Sequence, residues 1–400
     1  MSAMVIVGAG QGAGQAAASF RQEGYEGEII ILGDEAFPPY QRPPLSKQYL
    51  SGELPLERVF VRPEKFYVDR NIDLRTNTRV AKIDTSGKTV TTADGDTIAY
   101  EKLMIATGSR PRKLSIQGSD LPGIHYLRTI SDVDGISAAM KTAKKVVIVG
   151  GGYIGLEVAS VAVTNGLDVT VLEMEQRILQ RVTTPEMSAF YHQLHTGRGL
   201  KILTNTAVSG FSGDGHVQQV LCGDSSIDAD LVIVGIGIIA NVELAQEAGI
   251  DCDNGILVDD HCQTSVPDVY AIGDCTNHPN PILGRRLRLE SVPNALEQAR
   301  VATANMCGKD KVYASVPWFW SDQYELKLQM VGFSSDGDTQ VIRGDMSKNE
   351  FAVFYLKAGA VEAVDAVNSP REFMVCKQLY GKPVDVVKLA DPETDLKTLV

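Results

Sequence analysis

Near its start the chain reads Met4-Val5-Ile6-Val7-Gly8-Ala9-Gly10-Gln11-Gly12-Ala13, an apolar run followed at once by closely spaced glycines. The apolar run predicts a buried strand, and the glycines predict a tight turn that leads into a helix. Such a turn lets the backbone approach a pyrophosphate, and the amino terminus of the helix favours its negative charge. The stretch therefore predicts the first strand, turn and helix of a parallel sheet that binds a dinucleotide.

A second copy of this pattern lies about 140 residues further along the chain. There Val146-Val147-Ile148-Val149 leads into Gly150-Gly151-Gly152-Tyr153-Ile154-Gly155. The echo extends to a second strand, since Asp168-Val169-Thr170-Val171-Leu172 repeats the character of Glu28-Ile29-Ile30-Ile31-Leu32. Two such units predict two doubly wound Rossmann-like domains. Two dinucleotides in one chain indicate electron transfer between a nicotinamide and a flavin.

The first half is expected to hold FAD. Asp34 lies about 26 residues after Gly8, just past the second strand, where an acid can hydrogen-bond ribose hydroxyls. Asp274 follows Gly273 at the end of a predicted strand, where a carboxylate can accept hydrogen bonds from a sugar-alcohol chain. The alternative for both acids is that they are ordinary turn residues.

The second half is expected to hold the nicotinamide cofactor. Glu173 lies about 23 residues after Gly150, where a carboxylate pairs with the adenosine 2′-hydroxyl and repels a 2′-phosphate. The nearest following arginine is Arg177, so the pattern favours NADH over NADPH. The alternative is that Glu173 only makes the strand end soluble.

The two glycine turns and the small residues at other strand ends make up the remaining cofactor-binding positions. They are Gly8, Gly10, Gly12, Ala13, Ala106, Thr107, Gly108, Gly150, Gly152, Tyr153, Ile154, Gly155 and Gly237.

Three further runs predict strands of the same sheets, at 102–108, 230–237 and 269–274. Beyond residue 317 the pattern changes, because strand-like runs at 351–356 and 360–364 alternate with turns. The expected fold class is therefore α/β, with two doubly wound nucleotide-binding domains and a C-terminal α+β domain. We expect an FAD-binding domain at 1–112 and 242–317, an NAD-binding domain at 113–241, and the α+β domain at 318–400.

Composition narrows the function classes. The net charge of −12 argues against a general nucleic-acid role. The longest apolar stretch, at 231–240, is about ten residues and too short to cross a bilayer. The first strand begins at Met4 and leaves no room for a signal peptide, so no membrane association and a cytoplasmic location are expected.

The cysteines argue against further redox centres. None of the six is spaced from another as a C-x-x-C or C-x4-C pair. The chain is therefore not expected to carry its own iron–sulfur cluster, another metal site or a redox-active dithiol.

Four pieces of the sequence add to the glycine turns, and two of them, at 43–47 and 318–323, are far more specific than any glycine motif. They are Arg42-Pro43-Pro44-Leu45-Ser46-Lys47, Gly152-Tyr153-Ile154-Gly155-Leu156-Glu157, Glu290-Ser291-Val292-Pro293-Asn294-Ala295 and Pro317-Trp318-Phe319-Trp320-Ser321-Asp322-Gln323. Together they resemble the oxygenase-coupled NADH–ferredoxin reductases, essentially from end to end. The resemblance implies a glutathione-reductase-like architecture, FAD and NADH as cofactors, and a two-iron two-sulfur ferredoxin as the acceptor. That ferredoxin would serve a bacterial oxygenase, in particular a haem monooxygenase.

The resemblance also implies roles at matching positions. Lys47 would lie near flavin N5, paired with Glu157, and Trp320 would lie by the flavin. A cation near N1/N5 stabilises the anionic reduced flavin, and a carboxylate holds the lysine in place. The matching FAD contacts, some of them through backbone atoms, are Gly12, Asp34, Arg42, Lys47, Val80, Arg128, Asp274 and Val292.

The sequence also offers a candidate docking surface and leaves two alternative functions open. An acidic ferredoxin needs a local positive surface, for which Arg285, Arg286 and Arg288 are the first candidates and Lys309 and Lys311 the next. Such a cluster can equally be a solvated loop. One alternative function is a rubredoxin or small-acceptor reductase of the same architecture. Another is a nicotinamide-sensing flavoprotein that resembles apoptosis-inducing factor.

Overall fold

The computed structural model of the protein describes residues 3–400. Its helices, in chain order, are α1 (Gln11–Gln22), α2 (Glu64–Asp69), α3 (Ile130–Met140), α4 (Tyr153–Thr164), α5 (Pro185–Gly197), α6 (Glu243–Glu247), α7 (Val292–Met306), α8 (Pro370–Leu379) and α9 (Val386–Ala390).

Strands outnumber helices in this part of the chain. In chain order they are β1 (Ala3–Val7), β2 (Ile29–Leu32), β3 (Ile72–Arg75), β4 (Val80–Asp84), β5 (Thr89–Thr92), β6 (Thr97–Ile105), β7 (Ser109–Pro111), β8 (Ile124–Tyr126), β9 (Lys145–Val149), β10 (Asp168–Leu172), β11 (Lys201–Leu203), β12 (Gly210–Ser212), β13 (Gln219–Cys222), β14 (Ser225–Asp228), β15 (Leu231–Val234), β16 (Ile238–Ala240), β17 (Ile256–Leu257), β18 (Val269–Ala271), β19 (Thr276–Asn280), β20 (Arg285–Leu287), β21 (Trp318–Gln323), β22 (Leu326–Gly332), β23 (Thr339–Asp345), β24 (Glu350–Lys357) and β25 (Ala360–Val367).

The first of two compact units contains the described residues up to Arg42, together with Pro55–Arg110 and Ile238–Pro317. Its main sheet has the order β3-β2-β1-β6-β5-β4, and β18 also pairs with β6. The pairings among β3, β2, β1, β6 and β18 are parallel. Strands β4 and β5 continue the sheet in antiparallel pairing.

Strand β1 is buried on both faces, as a parallel strand between covering layers should be. Met4 and Ile6 pack in one core with residues of α1 and α7. Val5 and Val7 face the opposite core. Helix α1 presents small buried residues to its core, which lets it lie close to the sheet.

The second compact unit contains Pro43–Leu54, Pro111–Gly237 and Trp318–Val400. Its parallel sheet has the order β11-β10-β9-β15-β8. A small antiparallel sheet, β12-β13-β14, contributes Phe211 and Val220 to a core shared with β9 and β15. Residues 318–400 form a five-stranded antiparallel sheet, β21-β22-β25-β24-β23, against which α8 packs.

The α/β fold with a further C-terminal sheet is as predicted, and the βαβ echo is present as β1-α1-β2 and β9-α4-β10. The predicted strand at 269–274 is shorter than expected. It ends at Ala271, and Gly273–Cys275 forms a 3-10 turn in which Gly273 has a φ of +79°. A left-handed glycine ends the extended backbone there. The three-domain boundaries remain a prediction.

Within residues 3–400, no helix combines the length and the apolar character that a bilayer crossing requires.

Candidate active site

The first glycine turn lies between β1 and α1. Gly8 has a φ of +105°, and a Cβ built there would lie 2.3 Å from the main-chain oxygen of Ala106. Only glycine fits such a position. Gly12 lies one turn further along the chain, and a Cβ built there would lie 3.2 Å from the Ile272 side chain. Ala13 is fully buried.

The second turn, between β9 and α4, repeats this geometry. Gly150 has a φ of +111°, and a Cβ there would lie 2.3 Å from the main-chain oxygen of Gly235. A Cβ on Gly155 would lie 2.2 Å from the main-chain oxygen of Gly150, so the helix can pack against the turn only with glycine there. The two turns are therefore built by the same constraint.

The middle glycines of the two turns fit a bound dinucleotide. Gly10 and Gly152 are the N-caps of α1 and α4, with ordinary φ values of −81° and −82°. A Cβ on either would meet nothing within 4 Å, and neither helix has a side-chain cap in the described structure. The fold itself does not require glycine here, whereas a pyrophosphate approaching the uncapped N–H groups does.

Glu173 lies directly over the second turn. One carboxylate oxygen accepts the Gly151 N–H at 2.8 Å, and the other accepts the Glu175 N–H at 2.9 Å. These two bonds fix the orientation of the side chain, and each oxygen keeps a second lone pair for a sugar hydroxyl. Asp34, the corresponding acid of the first unit, is exposed two residues after β2 ends.

Asp274 is half-buried and accepts a hydrogen bond from Ser109 Oγ at 2.8 Å. The turn that carries it is anchored by Gln298 of α7, whose Oε1 accepts the Gly273 N–H at 2.7 Å. Gln298 Nε2 is buried and has no hydrogen-bond partner in the described residues. A buried donor without a protein partner fits a site that a ligand completes.

Other predicted FAD positions in this unit have defined surroundings. Arg42 donates to Glu35 at 2.7 Å and to the Tyr40 hydroxyl at 2.8 Å. Thr107 Oγ1 donates to the main-chain oxygen of Asn241 at 2.7 Å. The remaining positions are Gly108, which accepts the Asn241 N–H at 2.9 Å, Val80, which is buried at the start of β4, and Val292, which is the first residue of α7.

The predicted catalytic pair lies within the second unit. Lys47 Nζ is 2.6 Å from Glu157 Oε2, and the two side chains are only 10% and 4% exposed. Glu157 lies on α4, one turn after its start, and Lys47 follows the 3-10 turn Pro43–Ser46. A buried ion pair is stable only when further hydrogen bonds satisfy its oxygens. Here Ser46 Oγ donates to Oε2 at 2.5 Å and Ser321 Oγ to Oε1 at 2.6 Å.

Aromatic residues lie at the start of the same helix. Tyr153 packs against Phe319 with the ring planes tilted by 44° and the centroids 5.4 Å apart, and its hydroxyl donates to Met330 Sδ at 2.9 Å. Burial raises the pKa of Tyr153 well above its ordinary value, so the hydroxyl stays protonated. Trp320 is half-buried on β21, with its ring 5.7 Å from that of Trp318.

Three further predicted nucleotide contacts belong to this unit. Ile154, next to Tyr153, is 47% exposed at the helix start. Arg128 precedes α3, and its N–H donates to Asp132 at 3.1 Å. Gly237, with a φ of +102°, has open space where a Cβ would project.

Sequence reasoning missed several polar residues that support these sites. Ser46, Ser321 and Gln323 were quoted only as parts of motifs, although the motifs place them beside Lys47 and Trp320. His195 gave no signal, because its partner Gln323 is 128 positions away in the chain.

The predicted docking cations are largely engaged within the protein. Arg286 donates to the main-chain oxygens of Val258 and Asn277, at 2.8 and 2.5 Å. Arg288 pairs with Glu290 at 2.5 Å. Arg285, Lys309 and Lys311 are exposed, and Lys309 forms an ion pair with Glu23.

The six cysteines are free thiols. Among the described residues, one group has the spacing of metal ligands, namely Asp259, Asp260 and His261. Both ring nitrogens of His261 already bond carboxylates, those of Asp260 and Asp310, at 2.6 and 2.7 Å. The hydrogen bond with Asp310 is the main reason that the pKa of His261 is raised.

Comparison with known proteins agrees with this geometry. Residues 2–299 match the family model described as pyridine nucleotide-disulphide oxidoreductase, and 318–400 match the one described as reductase C-terminal. Putidaredoxin reductase from Pseudomonas putida is 42% identical, over 99% of this chain and 96% of its own length. Rubredoxin-NAD(+) reductase from the same species is 40% identical, over 92% of this chain and 96% of its own.

Among solved structures, the covalent putidaredoxin reductase–putidaredoxin complex matches with a TM-score of 0.96 and 42% identity, over 100% of this chain and 98% of that one. The family match covers most of the chain, and full-length relatives exceed 40% identity. The protein therefore belongs to the pyridine nucleotide-disulphide oxidoreductase family, as an oxidoreductase that uses FAD and NAD(H).

Proposed function

We propose that this protein is an NADH–ferredoxin reductase that delivers electrons to a two-iron two-sulfur ferredoxin serving a bacterial oxygenase. The observation that carries the proposal is its full-length likeness to a reductase solved in covalent complex with its redox partner, putidaredoxin. The four sequence pieces quoted above support the oxygenase link, since together they resemble oxygenase-coupled reductases. The free thiols support a reaction without a dithiol in this chain.

The two glycine turns would bind different cofactors. The turn from Gly8 to Gly12, with Asp34 and Asp274, would hold FAD. The turn from Gly150 to Gly155, with Glu173, would hold NADH. Bound FAD supplies the conversion between a two-electron donor and a one-electron acceptor.

We assign Lys47 and Glu157 the electrostatic role. The ammonium of Lys47 would stabilise negative charge on the flavin ring, and Glu157 would hold that ammonium in place. Trp320 would border the flavin. The motif resemblance supports both assignments, together with the burial of the ion pair. Val80, Arg42, Arg128 and Val292 would contact FAD, while Tyr153 and Ile154 would contact the nicotinamide cofactor.

Three further assignments belong to the proposal. The domain division is 1–112 with 242–317, then 113–241 and 318–400. The location is cytoplasmic, which six free thiols support because the cytosol keeps thiols reduced. The ferredoxin would dock at the cations Arg285, Arg286, Arg288, Lys309 and Lys311, although several of them are engaged within the protein.

A rubredoxin reductase is the second candidate, because a full-length relative at 40% identity carries that name. The test is anaerobic NADH-dependent reduction of purified two-iron two-sulfur ferredoxins, of rubredoxins and of a small dye, compared by kcat/KM. We expect a ferredoxin to be preferred by at least ~10-fold, which corresponds to about 1.4 kcal/mol. A higher kcat/KM for rubredoxin would reassign the acceptor.

The same assay separates a reductase from a nicotinamide sensor. A reductase turns over rapidly with its protein acceptor. A sensor would be reduced by NADH and then reoxidised slowly by every acceptor in the panel, and that result would overturn the proposed function.

A further inference from the structure

A buried chain of hydrogen bonds leads away from the Lys47–Glu157 pair. Glu157 Oε1 accepts from Ser321 Oγ at 2.6 Å, and Ser321 Oγ accepts from Gln323 Nε2 at 3.1 Å. Gln323 Oε1 lies 2.8 Å from His195 Nε2. Ser321, Gln323 and His195 are fully buried, and all five residues belong to the second unit. We refer to the hydrogen-bonded series Ser321, Gln323 and His195 as the Ser321–Gln323–His195 chain.

The hydrogen atoms in this chain all point the same way. The Glu157 carboxylate can only accept, so the Ser321 hydroxyl donates to it and is left to accept from the Gln323 amide. The amide oxygen of Gln323 therefore faces His195, whose Nε2 must carry the hydrogen. Every donor is directed towards Glu157, whose other oxygen accepts from Ser46 and Lys47.

The state of His195 agrees with this direction. Burial lowers the pKa of His195 to about 4, so the ring is neutral near pH 7. In the tautomer with the hydrogen on Nε2, the ring nitrogen without a partner among the described residues is Nδ1, an acceptor. The opposite tautomer would leave a buried N–H donor unpaired, and such donors are rarer in proteins than unpaired acceptors.

The chain joins three elements that are far apart in sequence. Glu157 lies on α4, Ser321 and Gln323 are alternate inward residues of β21, and His195 lies near the end of α5. Such a network fixes one carboxylate orientation, because rotation of Glu157 would break several buried bonds at once. The carboxylate that is fixed is the one that holds the Lys47 ammonium.

We propose that Ser321, Gln323 and His195 are positioning residues: they fix the Glu157 carboxylate and its charge, and through Lys47 they set the reduction potential of the bound flavin. The inference rests on the proposed function of Lys47. Each donor draws negative charge away from Glu157, which leaves more of the lysine's positive charge uncompensated. Loss of a donor should therefore destabilise the reduced flavin and make its potential more negative.

The test is the midpoint potential of the purified holoenzyme, measured by anaerobic titration of the flavin absorbance. In Ser321→Ala we expect the equilibrium between oxidised and reduced flavin to shift about tenfold towards the oxidised form. For a two-electron couple this is a shift of ~30 mV to more negative potential. Ser160→Ala is the matched control. Ser160 is also buried and bonds Glu157, but it donates to the main-chain oxygen at 2.7 Å rather than to the carboxylate. Its potential should stay at the wild-type value.

His195 provides a second series if Ser321→Ala does not fold. His195→Leu fills the same position in the core with an apolar side chain but removes the hydrogen-bond donor. The potential should therefore shift in the same direction by a smaller amount. His195→Gln supplies an amide N–H in place of the ring N–H and should restore the potential. If Leu and Gln gave the same wild-type potential, His195 would be only a packing residue and the proposal would fail.

Lys47→Gln separates this inference from the proposed function beneath it. If Lys47→Gln shifts the potential but Ser321→Ala does not, the chain is structural and the positioning role is wrong. If Lys47→Gln itself leaves the potential unchanged, the electrostatic role of Lys47 is wrong, and the inference built on it falls too.

Discussion

At the scale of single residues, we propose that the carboxylate of Glu173, which directly follows β10, governs the choice of nicotinamide cofactor. Main-chain N–H groups fix both oxygens of Glu173, so the side chain cannot easily turn away from a 2′-phosphate. Two unit charges about 4 Å apart repel by roughly 4 kcal/mol at an effective dielectric constant near 20, before screening by salt. We expect NADPH to have a kcat/KM at least ~10-fold below that of NADH.

Glu173→Arg should narrow or reverse this preference, as steady-state kinetics with both cofactors would measure. Glu175→Gln is the matched control, because Glu175 accepts from Gln180 at 3.0 Å rather than bonding the glycine turn. Equal efficiency of the native enzyme with NADH and NADPH would contradict the assignment.

A buried acid in the C-terminal sheet makes the stability of the protein depend on pH. Asp365 accepts from Thr183 Oγ1 at 2.7 Å and from the Tyr355 hydroxyl at 2.9 Å, and burial raises its pKa to about 6. Because the folded-state pKa lies above the ordinary value of 3.8, this group stabilises the fold fully below pH 3.8. That contribution is lost as the pH rises through 6, by up to about 3 kcal/mol.

Asp365→Asn removes this titration and keeps the shape of the side chain. Relative to the variant, the native protein should lose unfolding free energy between pH 4 and pH 7, as urea unfolding across that range would measure. Other titrating groups are common to both proteins and cancel in the difference. Parallel stability curves for the two proteins would contradict the shifted pKa.

At the scale of the element, the strand–turn–helix units β1–α1 and β9–α4 can be tested separately. A methyl group on Gly152 or Gly10 meets no protein atom, so either alanine variant should fold. The methyl would occupy the path of a pyrophosphate. Gly152→Ala should therefore raise the Kd of NADH by roughly tenfold, about 1.4 kcal/mol, with FAD retained. Gly10→Ala should instead lower the FAD content of the purified protein.

Gly197→Ala is the control for both glycine variants. Gly197 ends α5, has open space at its Cβ position, and belongs to neither turn. Calorimetric titration with NADH and the flavin content of each preparation provide the two readouts. If Gly152→Ala bound NADH as tightly as Gly197→Ala does, the second turn would not be the nicotinamide site.

The elements that could be predicted from sequence are those with local causes. Strands β1 and β9 are apolar runs buried on both faces, and the glycines after them are dictated by contacts a few ångströms away. The turn at Asp274 could not be predicted in the same way, because a left-handed Gly273 ends the strand before the acid. The bond between His195 and Gln323 depends on the packing of α5 and β21, which no local pattern encodes.

At the scale of the whole molecule, the net charge of −12 opposes the approach of an acidic ferredoxin. Local cations must then steer the encounter, and steering weakens as salt rises. Arg285 and Lys311 are both exposed and are the first and last of the proposed docking cations in the sequence, so the test neutralises these two. The double variant with Gln at both positions should transfer electrons to ferredoxin more slowly and with a flatter salt dependence.

A charge-matched variant controls for net charge alone. Lys141→Gln with Lys357→Gln removes two exposed cations, one directly after α3 and one at the end of β24, away from the proposed cluster in sequence. Reduction of a small dye by NADH should be normal in both double variants. If the two double variants slowed ferredoxin reduction equally, the effect would be one of net charge, and the docking surface would have to lie elsewhere.

The proposed function requires that the protein take two electrons from NADH and deliver them singly to an iron–sulfur protein. The direct measurement is the anaerobic stoichiometry: NADH consumed against ferredoxin reduced, followed at separate wavelengths with catalytic amounts of the enzyme. We expect two ferredoxin molecules to be reduced for each NADH oxidised, at a rate that depends on ferredoxin concentration. NADH consumption without ferredoxin reduction, under conditions where the dye is reduced normally, would contradict it.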